Sequence, residues 1–290
     1  MTTAWDRKIR IAVCTCVVAT VLVIAPMARP SAAITGGSQA QLSAMPWTVQ
    51  VQQRRALSWF TACTGTLIGP THVLTAGHCL QQYPGVGPAL PPSGQPLFQV
   101  RVVMSDGSVM TPASGSVPPD FDYTTGRGDM AVLTLPTPSR LPTVQLAHSD
   151  PALGSVITGA GFGCTAYDSN VCMVDLLLGV AGFTTGGYGS LRTDAEDVLM
   201  AGGVATDPDA AALCGTPTWQ VCTRWRNGVT RDGDSGGPLL ISGPHGLAEA
   251  GVVHDQADTP AANQNGAGDR TTTWTSLASE PAFLQPFVGT

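Results

Sequence analysis

The sequence predicts an all-β protein, on three observations. Short β-branched and apolar stretches recur between clusters of glycine, proline and serine, as in Trp47-Thr48-Val49-Gln50-Val51, Val100-Arg101-Val102-Val103, Met130-Ala131-Val132-Leu133 and Gly251-Val252-Val253. Runs of this kind, bounded by turn formers, read as short strands. The chain also carries 34 glycines and 23 prolines, which break helices and supply turns. Almost no stretch places apolar residues at helical spacing over three turns, so helices are expected to be few.

At the N-terminus Arg7, Lys8 and Arg10 precede an apolar run from Ile11 to Ala25, and the small residues Ser31-Ala32-Ala33 follow. These are the charged, apolar and cleavage-site parts of a signal peptide, assigned to residues 1–33. A membrane anchor needs about 20 apolar residues, and this run stops sooner, at Pro26. The expectation is a secreted, extracellular chain with no membrane attachment once the signal is cut. Residues 34–290 are long enough for one large all-β unit or two small barrels sharing an interface. A boundary is expected around Pro136 to Pro151, where four prolines interrupt the strand pattern, giving halves at 34–145 and 146–290. At the far end Ser279 is expected to cap a short helix with Pro281 in its first turn.

The formal net charge is −6, and residues 1–33 hold Arg7, Lys8, Arg10 and Arg29 against Asp6 alone, so the exported chain is more acidic still. Nucleic acid and anionic membrane surfaces are excluded as partners. Lys8 is the only lysine, so the exported chain has none. Of the eight cysteines, Cys14 and Cys16 lie in the signal, leaving Cys63, Cys79, Cys164, Cys172, Cys214 and Cys222. An even number in an exported chain favours disulfides. No pair has C-x-x-C spacing, so neither metal nor cofactor is expected. The segments Tyr83 to Gly94 and Gln256 to Gly268 read as surface loops.

Three local patterns carry chemistry. Ser235 sits in Gly233-Asp234-Ser235-Gly236-Gly237-Pro238, a turn whose glycines keep its hydroxyl uncrowded. A serine becomes a nucleophile only when a base takes its proton, and that base needs a partner to fix its tautomer. His78, in Thr75-Ala76-Gly77-His78-Cys79, is the base, and a Cys63–Cys79 bridge would pin its loop. His72, His148 and His245 lack comparable context. The orienting carboxylate is Asp129, in Gly128-Asp129-Met130-Ala131-Val132-Leu133, where an acid opening an apolar strand is buried and needs a donor. Asp120 and Asp122, after Pro118-Pro119, belong to a loop facing water.

These motifs, together with Pro46-Trp47-Thr48-Val49, resemble in order those of the chymotrypsin- and trypsin-like serine peptidases of the secreted, bacterial type, over essentially all of residues 34–290. The resemblance implies two six-stranded antiparallel β-barrels with the catalytic cleft between them. It implies a serine endopeptidase that hydrolyses peptide bonds through a Ser-His-Asp triad and an acyl-enzyme. The alternative is a catalytically silent or narrow-substrate binding protein on the same fold. His78 would be general base then acid, Asp129 its orienter, and the N–H groups of Gly233 and Ser235 the oxyanion hole. Partners would be polypeptide substrates and protein inhibitors of the family, and the chain a monomer.

Further implications concern activation and specificity. Ile34-Thr35-Gly36-Gly37 resembles the family's activated N-terminus, whose α-ammonium would pair with Asp234. Cleavage after Ala33 would free it directly, whereas a cut after Ala28 would leave Arg29 to Ala33 as a propeptide. The acidic pocket floor of trypsin-like members corresponds to Val229, against Arg/Lys specificity, with Asp232 at the pocket rim. Arg231 stands where the family has a cysteine, and His254 where a serine usually supports the aspartate. His254 is therefore either a support or a third pocket residue beside Val229 and Asp232. Family spacing pairs Cys214 with Cys222 and leaves Cys164 with Cys172, one of three pairings those four cysteines allow.

Overall fold

The computed structural model describes residues 34–55, 58–80, 99–164, 189–258 and 270–288. The signal-peptide assignment, the Tyr83 to Gly94 loop and most of the Gln256 to Gly268 loop lie outside these residues.

A short strand β1 (Ser38–Gln39) precedes seven strands of one sheet: β2 (Thr48–Arg55), β3 (Ser58–Gly69), β4 (His72–Thr75), β5 (Val100–Val103), β6 (Val109–Met110), β7 (Ser114–Ser116) and β8 (Ala131–Thr134). Its order is β6-β5-β2-β3-β4-β8-β7. Alternation on β2 sends Val49 and Val51 inward, to meet Leu67, Val73, Val102, Ala131 and Leu133 in one apolar cluster, as half-buried strands require.

The second sheet is built from β9 (Gln145–Leu146), β10 (Val156–Gly161), β11 (Arg192–Ala201), β12 (Val204–Ala205), β13 (Gln220–Trp225), β14 (Pro238–Gly243), β15 (Gly246–Asp258) and β16 (Arg270–Ser276). Six of these run β11-β10-β14-β15-β16-β13, and β13 pairs back with β11, closing a six-stranded barrel around Ile157, Val198, Val221, Leu239 and Trp274.

The expected all-β, chymotrypsin-like architecture is present, the second sheet as a closed six-stranded barrel and the first as a curled half-barrel. The first sheet curls but its ladder stops between β6 and β7, which belong to one segment, Val109 to Ser116. Pro112 falls in the gap and has no N–H to contribute, so the segment leaves β5 and joins β8 by separate short pairings. Cluster residues from both sheets, Leu74, Met130 and Val132 with Ala160, Phe162, Leu240 and Val252, form the seam between them. β1 crosses to pair with β11, and β9 runs parallel to β15, so both ends of the first half are tied to the second.

Helices are few. One, α1 (Pro208–Cys214), was not anticipated, although its signals are local: Pro208 occupies the first turn and the Asp207 side chain accepts from the Ala210 N–H at 2.8 Å, a standard N-cap. In the C-terminal helix α2 (Pro281–Leu284) the N-cap position falls on Glu280, whose side chain makes no capping bond, and not on Ser279. The Ser279 hydroxyl instead donates to the Ser276 carbonyl, closing the preceding turn. Gln256 to Asp258, expected in a loop, extend β15 by pairing with Arg270 to Thr272.

Candidate active site

Strands β3 and β4 and the turn His78–Leu80 bring His78 to the seam. The Cys63–Cys79 disulfide ties that turn to β3, as the sequence suggested. Asp129 lies just before β8, 1% exposed, and three donors converge on it. The His78 backbone N–H donates to Oδ1 at 2.7 Å, His78 Nδ1 lies 2.7 Å from Oδ2, and His254 Nδ1 lies 2.6 Å from the same Oδ2. Burial works against ionising this carboxyl, but the hydrogen bonds from His254 and His78 and their charges outweigh it and hold Asp129 well below the usual carboxylate range. Asp120 and Asp122 stay in the loop before it. Asp120 pairs with Arg127 at 2.7 Å, and Asp122 accepts from the Thr124 N–H.

Ser235 reaches the same seam from the second barrel. Its turn is clamped to the first sheet by Thr64, a residue that no motif singled out. The Thr64 N–H donates to the Ser235 carbonyl at 2.9 Å, its hydroxyl donates to the Gly233 carbonyl at 2.9 Å, and the same oxygen accepts the Phe162 N–H at 2.9 Å. Thr64's own carbonyl takes the Thr75 hydroxyl at 2.7 Å. Gly236, with φ +76, makes this approach possible, because a Cβ there would stand 2.2 Å from Thr75 Oγ1 and 2.6 Å from Ala76 N.

Asp234 is fully buried. Its oxygens accept the Gly163 and Arg231 N–H groups, each at 2.8 Å. Burial dominates these two bonds and pushes its pKa up to about 8. Ile34 is also fully buried and is the one non-glycine residue at positive φ among the described residues, at +44. Thr35 is held against Val229 by two backbone hydrogen bonds of 3.0 and 2.9 Å. Val229 is buried and Asp232 exposed, while Arg231 is 4% exposed.

Cys214 and Cys222 form a disulfide. Cys164 is disulfide-bonded as well, and its expected partner Cys172 lies outside the described residues.

Among the described residues, two groups offer three metal-ligand atoms each. In Cys63, His78 and Cys79 the sulfurs are already joined. In His78, Asp129 and His254 the ligand atoms are committed to one another, so a cation would have to break both imidazole–carboxylate hydrogen bonds. The second trio reads as a hydrogen-bonded unit. His72 packs edge-on against Phe287, and His148 and His245 are exposed.

The family model described as Trypsin matches residues 34–267. Trypsin iota of Drosophila melanogaster is 29% identical over 78% of this chain and 82% of its own. Proproteinase E of Bos taurus is 26% identical over 74% and 79%, and serine protease SSP1 of Scolopendra subspinipes 26% over 76% and 72%. These relatives are animal proteins, and they lend no support to the bacterial qualifier of the resemblance.

Proposed function

The chain belongs to the trypsin family and is a serine endopeptidase, and from that premise we propose that Ser235, His78 and Asp129 are its catalytic residues. The observation that supports this most is the buried Asp129 carboxylate, which takes His78 Nδ1 at 2.7 Å while Thr64 fixes the Ser235 turn beside it. With the Nδ1 proton directed at Asp129, neutral His78 carries its free lone pair on Nε2, the atom that takes the Ser235 proton. Ser235 Oγ then bonds to the substrate carbonyl carbon, and imidazolium His78 protonates the leaving amine. Water repeats the sequence on the acyl-enzyme. The N–H groups of Gly233 and Ser235 would hold the oxyanion. Neither donates to a backbone acceptor among the described residues.

The chain acts outside the cell after loss of residues 1–33. Freed at Ile34, the α-ammonium pairs with Asp234, a buried acid whose two backbone donors leave it neutral up to about pH 8. This pairing raises the amine above its ordinary value of about 8. The amine is therefore fully charged below that pH, where it draws the neighbouring Asp234 into its ionised form, and the pairing is lost as pH rises through the raised value. Val229, buried and apolar, opposes a basic P1 side chain.

A chain starting at Ile34 is to be treated with an organophosphonate. Stoichiometric labelling, lost in Ser235→Ala, is the expected result, and a correctly folded chain that takes up no label overturns the assignment. Cleavage of a peptide library by the same preparation reads P1 directly. Because the exported chain lacks lysine, acylating its one amine tests activation, and full activity after verified modification would exclude a role for Ile34.

A further inference from the structure

Where a serine usually supports the aspartate, this chain places an imidazole, and the surroundings are shaped for it. His254 Nδ1 lies 2.6 Å from Asp129 Oδ2, the oxygen that also takes His78 Nδ1. An ionised carboxylate only accepts, so both rings carry a proton at Nδ1. The rings stand edge to face, with centroids 6.2 Å apart.

The loop before Asp129 leaves room for the second ring through Gly126, with φ +73. A Cβ there would stand 2.2 Å from His254 Nε2, 2.5 Å from Cε1 and 2.9 Å from Cδ2. Backbone hydrogen bonds hold that glycine in place, its N–H donating to Asp122 at 2.8 Å and its carbonyl accepting from Asp129 at 3.3 Å. The contact joins the first sheet's loop to β15, 125 residues away from Asp129 in sequence.

Few charges face this ring. Asp129 and His78 approach from the first sheet, and Asp255 is its neighbour on β15. Asp232 in turn lies near Asp255. Arg127, beside Gly126, is paired with Asp120 and lies 5.7 Å from the Trp219 ring centroid. Burial lowers the affinity of His254 for a proton, but the Asp129 hydrogen bond and the charges of Asp129 and Asp255 overcome it and raise its pKa.

We infer that His254 is a positioning residue that shares Asp129 with His78 and, as an imidazolium, makes His78 harder to protonate, so that the peptidase keeps working at lower pH. The inference rests on the triad reading above. Two unit charges about 6 Å apart at an effective dielectric near 20 shift a proton equilibrium by about two pH units. Screening of partly exposed charges by solvent and salt reduces this to about one. Without the second cation, Asp129 would stabilise the His78 imidazolium in full, and the base would be lost at higher pH.

The test is the acid limb of kcat/KM against pH. His254→Ser, which restores the family's usual residue, and His254→Gln, which cannot become cationic, are both expected to move that limb up by about one pH unit. The alkaline plateau should change less than about tenfold. Gly126→Ala, whose methyl would displace the ring, should move it the same way alone and not at all in the His254→Ser background. Acid limbs of His254→Ser and His254→Gln that coincide with the wild type, or lie below it, overturn the inference. Phosphonate labelling at pH 8 runs alongside. Failure of the wild type to label would instead count against Ser235 and the triad.

Discussion

In the first sheet the one fully buried carboxyl group, Asp129, receives three donors and is held ionised. The second barrel buries Asp194, Glu196, Asp234 and Glu249, and burial raises all four. Asp194 and Glu196 lie next to each other inside the barrel, with Thr223 and Thr272 bonded to Glu196, and the charge of Asp194 adds to burial in raising Glu196. Glu249 reaches the seam, accepts the Thr66 hydroxyl at 2.6 Å, and is pushed up to about 8. The same residue type thus has opposite behaviour in the two halves. What decides is the number and charge of the donors that replace water. The first half holds its acid ionised, while burial in the second favours the neutral form of its acids.

Breaking the charged side of this contrast should have the largest effect. Asp129→Asn presents an amide to two imidazoles and favours the wrong His78 tautomer, so kcat should fall about 10⁴-fold, with His254 rearranged as well. A loss of less than tenfold in steady-state assays would mean that Asp129 does not orient the base.

The neutral side is probed by pH. The folded-state pKa of Glu249 is about 8, above its ordinary 4.5. Its contribution to stability is therefore complete below about pH 4.5 and is lost progressively until pH 8. Over that span the loss is about 5 kcal/mol. Glu249→Gln, which retains an amide group to face Thr66, should flatten this part of the stability curve in urea titrations from pH 5 to pH 8. Equal slopes for variant and wild type would show that Glu249 is charged in the folded protein.

A smaller effect is expected where the two halves meet. Thr64→Val strips the hydroxyl that serves Gly233 and Phe162 and leaves two buried backbone groups unpaired. It should cost about 2 kcal/mol and slow phosphonate labelling of Ser235 more than it weakens substrate binding. Unchanged labelling would remove Thr64 from any part in shaping the serine turn.

His78, Asp129 and Ser235 each sit in a short local pattern, which is how the sequence singles them out, and the Cys63–Cys79 bridge beside His78 was legible in the same way. The contact of His254 with Asp129 was legible only as one of two alternatives for that residue, because it joins β15 to a loop 125 residues away and depends on the space over Gly126. Thr64 was hidden for a similar reason, as a threonine in a strand looks like any β-branched residue until its partners are known. On β11 the alternation itself misleads. Asp194 and Glu196 point inward, toward Thr223, Thr272 and Trp274, so its polar face is the buried one. The open ladder of the first sheet turned on Pro112, a single residue in a segment too short to read as two strands.

The torsion at Ile34 gives activation a direction. A φ of +44 at a β-branched residue costs about 1–3 kcal/mol, and it exists only while residue 33 is attached. The burial of Ile34 and the pairing of Thr35 with Val229 are therefore already present with residue 33 attached, but under tension. A cut before Ile34 abolishes the dihedral rather than relaxing it, and the uncut chain should show a leak of activity about ten- to a hundred-fold below the cut form. On the activation reading proposed above, maturation is the irreversible release of that strained torsion.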